Sequence, residues 1–236
     1  MSEDFSTNVT QAHVQTYDAG LRAFMVGIYN HMSLGVFVTG IVAFAVANLG
    51  LAAVLMANPV IAIVLALAPV AVVWFGFNPA TMPASRLRTT FYILAVLYGL
   101  SFSAIFLVFT GADIARAFFI TAAAFAGLSI YGYTTRKSLD GLGTFAVMGV
   151  IGALVLGLVN LFVQSSMLMN VVSGISLLAF AGMTAYQTQA MKETYNPLNG
   201  EEANARLGWS AALNLYISFV AMFQSILNLM SAFRGE

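Results

Sequence analysis

Seven long apolar stretches carry no charged side chain in their middles, although the chain holds nine basic and nine acidic residues. Runs of roughly 17–25 apolar residues cross a bilayer as helices, because lipid offers no partner to unpaired backbone groups. Spans are read near 32–55, 60–77, 90–111, 115–133, 142–163, 168–188 and 209–230. The second is short and contains Pro69, which predicts a kinked or tilted helix. Only 8% of the residues are charged and 60% are hydrophobic, against roughly 25% charged in a soluble domain. Such a surface must face lipid, and the expected fold class is an all-α membrane protein with seven transmembrane helices.

Residues 1–31 read as a polar or interfacial N-terminal segment and 32–236 as one membrane domain. The start, Met1-Ser2-Glu3-Asp4, lacks the basic residues and short apolar core of a cleavable signal. Leu21, Phe24, Met25, Ile28, Tyr29 and Met32 recur at helical spacing, and Asp18 lies four residues before Arg22, a spacing that permits pairing. A polar extension of the first helix is expected, since interfacial helices carry more Lys and Arg. The N-terminal segment and the loops after spans two, four and six hold Arg22, Arg86, Arg88, Arg136, Lys137, Lys192 and Arg206. The opposite side holds Arg116 and Arg234. This bias predicts an inner (plasma) membrane protein with a cytoplasmic N-terminus and an outside C-terminus.

Several function classes are excluded by what is absent. Zero net charge gives no basic stripe for nucleic acid. The lack of cysteine removes disulfides, thiolate metal sites and cysteine nucleophiles. With only His13 and His31, no multi-histidine metal site can form, and no cofactor is expected. The only lysines, Lys137 and Lys192, lie in loops, which argues against a retinal Schiff base. Gly99-Leu100-Ser101 and Gly127-Leu128-Ser129 lack the following glycine of a rhomboid-type serine protease, and no aspartate pair lies within the spans. A non-enzyme without catalytic residues is expected.

Small residues recur at helical intervals: Gly149, Ala153 and Gly157 on span five, and Ala123 with Gly127 on span four. Such faces let helix backbones approach closely. The seventh span differs. Asn214, Ser218, Ala221, Ser225 and Asn228 advance by four, three, four and three, falling within an arc of roughly 80°; Gln224 borders it. A stripe that polar must face protein or water. It reads either as the lining of a solvated pathway or as interhelical hydrogen bonding, worth about 0.6 kcal/mol per contact. Span six ends in Ala185-Tyr186-Gln187-Thr188-Gln189, and Ser218 lies nine residues into span seven from the same side, about 13 Å deep. Gln187 and Ser218 are therefore expected to approach one another.

At these residues the chain resembles the Bax inhibitor-1 family, in its bacterial YccA-like branch of transmembrane Bax inhibitor motif proteins. The resemblance runs through Gly20-Leu21-Arg22-Ala23, Tyr29-Asn30-His31-Met32, residues 98–103 (YGLSFS), 114–121 (IARAFFIT), 128–135 (LSIYGYTT), Asn160-Leu161-Phe162, AYQTQ (185–189) and LYISF (215–219). Each fragment is short; their order and spacing carry the likeness. It implies six helices around a central seventh, and a pH-sensitive calcium leak or a role in membrane protein quality control and stress response. In the family the leak is governed by two membrane-embedded aspartates. The resemblance places those positions at Gln187 and Ser218, and a common basic residue at Asn228, so all three charges are missing here.

Glutamine and serine do not titrate near neutral pH, and calcium favours hard, usually charged oxygen ligands. The expected function is a calcium or cation leak without the family's acidic pH sensor, with Gln187, Asn214, Ser218, Ser225 and Asn228 as pore candidates. The alternative is a non-conducting interaction protein that modulates a membrane protease, protein quality control or stress response. Expected partners are the lipid bilayer, calcium ions, and a membrane protease or other integral membrane proteins.

Overall fold

Helices account for nearly all of the backbone. The computed structural model describes residues 2–233, with side chains from Asp18 onward, so His13 and Arg234 lie outside the described side chains. The order is α1 (Ser2–Asn48), α2 (Leu51–Ala57), α3 (Pro59–Ala71) continuing into a π turn (Val72–Gly76), α4 (Ala84–Phe102) and α5 (Ile105–Val108). It continues with α6 (Gly111–Thr134), α7 (Asp140–Val163), α8 (Ser166–Thr194), a 3-10 turn (Pro197–Asn199) and α9 (Glu201–Ala232). Seven stretches are long and apolar enough to cross a membrane: Asp18–Asn48, Pro59–Gly76, Ala84–Val108 and the four helices α6 to α9. The chain is an all-α protein with seven membrane-crossing helices.

The first span departs from the expected 32–55. Its helix ends at Asn48, and Gly50 turns the chain with a positive φ of 72°, a conformation that glycine adopts without steric cost. Residues 51–55 belong to the separate α2, and Asn58 then caps α3 by accepting from the Val60 and Ile61 amides at 3.0 and 3.4 Å. At the other end, α1 passes through residues 31 and 32 without a break, as a polar extension of helix one requires. Leu21, Met25, Ile28 and Met32 are all buried, packed in one core with Leu87, Phe91 and Trp209. Among the described residues, no ion pair joins Asp18 to Arg22.

Pro69 sits inside α3, and the α-helical ladder changes to a π turn three residues later. Proline removes one amide donor and crowds the preceding turn, which accounts for the irregular second span. This span leans on α4 and is the least buried of the seven.

The most buried span is α9. Half of its apolar window is covered, against 6–28% in the others. It packs on α1, α4, α6 and α8, whereas α7 packs on α8 and α3 on α4. Small residues decide the closest approaches, though not all those expected from the sequence do so. Gly149 meets Ala179 on α8 and Ala153 is buried, but Gly157 faces open space. On α6, Ala123 and Gly127 are exposed; Gly132 makes the contact instead, where an added Cβ would overlap the Ala185 carbonyl of α8. In lipid either face of a helix can be apolar and small, so spacing alone does not say which face meets a neighbour.

The basic loops gather at one end. The Arg206 guanidinium donates to the Ala80 carbonyl at 3.4 Å, and Lys192 Nζ donates to the Tyr133 carbonyl at 3.0 Å. The Ala84 amide donates to Glu202 Oε1 at 2.7 Å. These bonds tie the starts and ends of α4, α6, α8 and α9 together.

Candidate functional site

The AYQTQ segment lies near the end of α8, and its five side chains point to different elements. Ala185 lies against Gly132 of α6, and the Tyr186 ring lies where a Cβ on Gly143 of α7 would be. Gln187 Oε1 accepts from Ser218 Oγ of α9 at 3.2 Å. Thr188 donates to the Thr184 carbonyl at 2.9 Å, so its remaining oxygen capacity accepts from the Tyr29 hydroxyl of α1 at 3.1 Å. Gln189 Oε1 accepts from the Leu139 amide at 2.8 Å and its Nε2 donates to the Lys137 carbonyl at 2.9 Å. One helical turn and a half therefore fixes α8 to α1, α6, α7, α9 and the loop between α6 and α7.

The approach of Gln187 to Ser218 expected from the sequence is present. Ser218 is fully buried, and Gln187 is half-buried. The other stripe residues divide. Ser225 is buried and donates to the Ala221 carbonyl of its own helix at 2.8 Å. Asn228 Nδ2 donates to Ser173 Oγ of α8 at 3.4 Å. Asn214 and Gln224, in contrast, are exposed on the outside of the bundle. Four helices pack on α9, and none of them covers these two side chains. An amide in that position needs water or another protein beside it.

Chemically the seam is neutral. Its groups are two hydroxyls, a carboxamide and a second carboxamide, which can donate and accept hydrogen bonds but cannot change charge. Among the described residues no group of three or more His, Asp or Glu could hold a metal ion.

Two arrangements escaped the sequence. The Tyr216 hydroxyl lies 2.7 Å from Thr39 Oγ1, which itself donates to carbonyls at Gly35 (3.0 Å) and Ala95 (2.9 Å). Since threonine has one proton, Tyr216 is the donor, and α1, α4 and α9 meet at one oxygen. His31 stacks on Trp209 with ring centroids 3.9 Å apart and planes 16° from parallel. The partners are 177 and 178 positions apart, and no local pattern marks either pair; the only signs were Tyr216 within LYISF and His31 within residues 29–32.

The family model described as "Inhibitor of apoptosis-promoting Bax1" matches residues 21–235. The chain belongs to the Bax inhibitor-1 family. It is 37% identical over 225 residues to an uncharacterised protein of Caulobacter vibrioides, covering 89% of each chain. It is 33% identical to the uncharacterised protein RP147 of Rickettsia prowazekii, over 92% of each. The Escherichia coli K12 inner membrane protein YbhL is 34% identical, over 89% of this chain and 92% of that one.

Proposed function

We propose that this Bax-inhibitor-1-family protein is a low-flux calcium or cation leak of an inner membrane, with its path along the α8–α9 seam and without an acidic gate. The observation that carries this reading is the Ser218–Gln187 hydrogen bond, flanked on α9 by the exposed amides of Asn214 and Gln224. Neutral oxygens bind calcium weakly, because this ion takes six to eight hard oxygen ligands and favours carboxylates. The seam therefore passes ions poorly and does not open or shut by ionisation of the 187–218 pair. The basic end, where the loops after spans two, four and six converge, is proposed to be cytoplasmic, with the C-terminus outside.

The test is calcium flux into liposomes across pH 6 to 8. Flux is expected to be small and nearly flat; a steep change with pH overturns the ungated seam. His31 is the one imidazole within the described spans, so a His31→Gln variant run in parallel separates its titration from the seam. Aspartate restored at both positions (Gln187→Asp with Ser218→Asp) is expected to introduce pH dependence, since burial raises a carboxyl pKa toward neutrality. A flat profile in the double variant overturns the assignment of those two positions.

The exposed amides also favour a second reading, in which another integral protein covers the Asn214–Gln224 side and the seam never conducts. Glu202 and Arg206 are already engaged within the chain, which leaves Glu201 and the Leu198 turn as the contact points on the loop before α9. Specific co-purification that survives substitution of Asn214 and Ser218 favours this reading. Calcium flux lost in the same variants favours the leak.

A further inference from the structure

A cleft of about 1020 Å³ separates α1 from α6. Both helices pack on α9, yet they scarcely touch each other, so the cleft opens sideways from the bundle and is floored by Phe219 of α9. Gly40 of α1 and Ala122 and Ala126 of α6 hollow its walls. It runs from Arg22, Tyr29 and Tyr133 at the basic end to Phe44 and Phe118 at the other. From Phe118 to Tyr133 this is about 22 Å of helix, longer than the ~15 Å of one leaflet's hydrocarbon.

The lining has a polar end and an apolar body. Among the described residues no acidic side chain lines the cleft, and Arg22, the one charged group lining it there, has no ion-pair partner. One turn inward from Tyr133, Ser129 lines the cleft, with its hydroxyl oxygen buried away from the cleft surface. Because the cleft opens sideways from the bundle, the bilayer's own lipid is the medium at its mouth. An acyl chain needs only a narrow apolar slot.

We infer that the α1–α6 cleft is a binding site for an anionic glycerophospholipid, whose acyl chain lies along Phe37 and Ala126 and whose phosphate meets Arg22. Tyr133, which lines the basic end of the cleft, borders the headgroup. The site is separate from the α8–α9 seam and stands whether or not the seam conducts.

The chain has no cysteine, so a single Ser33→Cys variant places one fluorophore in the cleft and Ile151→Cys places one on the exposed outer face of α7. Each is reconstituted in phosphatidylcholine vesicles containing chain-brominated phosphatidylglycerol or chain-brominated phosphatidylcholine, and quenching is followed against brominated fraction. At position 33 the anionic lipid is expected to quench at about fivefold lower fraction than the zwitterionic one, the factor given by ~1 kcal/mol per basic residue. At position 151 both should follow the bulk fraction. Arg22→Gln should abolish the headgroup preference at position 33 and leave position 151 unchanged.

Equal quenching by both lipids at position 33 overturns the proposal, as does protection from both, which would place a second copy or a partner helix in the cleft. Native mass spectrometry of the cysteine-free chain gives an independent reading. Retention of phosphatidylglycerol is expected to fall in Arg22→Gln and in Ala126→Phe, which fills the cleft; retention unchanged in Arg22→Gln overturns the site.

Discussion

The two sides of α9 are built differently. Toward α1 and α4 the contact is dense: Tyr216 is fully buried, bonded to Thr39, and flanked by the Phe91 and Tyr98 rings at 5.4 and 5.6 Å. Toward α8 the two helices run together over a longer stretch, and the polar contacts are small groups, Ser218 with Gln187 and Asn228 with Ser173, at 3.2 and 3.4 Å. Lipid tails are as apolar as leucine, so burial drives helices together weakly in a membrane, and shape and hydrogen bonding do most of it. The tyrosine side has interlocking rings and one short hydrogen bond; the α8 side has a longer close approach and longer hydrogen bonds. What holds α8 in register is its opposite face, where Gly132 and Gly143 receive Ala185 and Tyr186. One side of α9 is an aromatic wall, and the other is a close-packed seam in which small polar groups meet.

The largest effect should come from disturbing the outer face of α8. Gly132→Val must displace a backbone carbonyl and is expected to cost about 3 kcal/mol or more in detergent unfolding. Gly127→Val, in open space on the same helix, should stay within about 0.5 kcal/mol. Equal losses in the two would mean that α6 and α8 are not in this register.

Next comes the wall. Tyr216→Ala should cost about 3 kcal/mol through the cavity it leaves, and Tyr216→Phe about 1 kcal/mol, because Thr39 keeps its carbonyl acceptors. A smaller loss for Tyr216→Ala than for the seam variants would reverse the comparison. The double variant Gln187→Asp with Ser218→Asp should melt lower at pH 8 than at pH 5. Carboxyls buried in the seam have raised folded-state pKa values, so the folded state binds more protons and stability falls as pH rises. Stability that does not fall between those pH values would show a seam already open to water.

The smallest effect is expected for Ser218→Ala, about 0.6 kcal/mol or less, since one neutral interhelical bond is lost. A loss above 2 kcal/mol would make the seam as firm as the wall. Finally, a Leu198→Cys variant, in the highly exposed turn before α9, should label only from the cytoplasmic side of sealed vesicles; labelling from outside would invert the proposed orientation.

Much of the frame was legible in the residues. Hydropathy marked seven spans, and charge placement grouped Arg86, Arg136, Lys192 and Arg206 at one end because charge is excluded from hydrocarbon wherever the helices pack. The Gln187–Ser218 approach was also readable, since helical rise fixes depth and both count from the same end. The first span was misplaced by several residues because Gly50 and the α1 extension, rather than hydropathy, set its limits.

Hydropathy and charge placement are enough to define a seven-span, one-sidedly basic chain with no charge at positions 187 and 218. Packing between distant segments is what brings Gly132 rather than Gly127 against a neighbour, joins three helices at Thr39, leaves Asn214 and Gln224 outside, and parts α1 from α6 to form a cleft. The reason is physical. In water the apolar face of a helix announces its inside, whereas in lipid the inside and the outside are both apolar, and which face meets which is settled by fit between residues far apart in the chain.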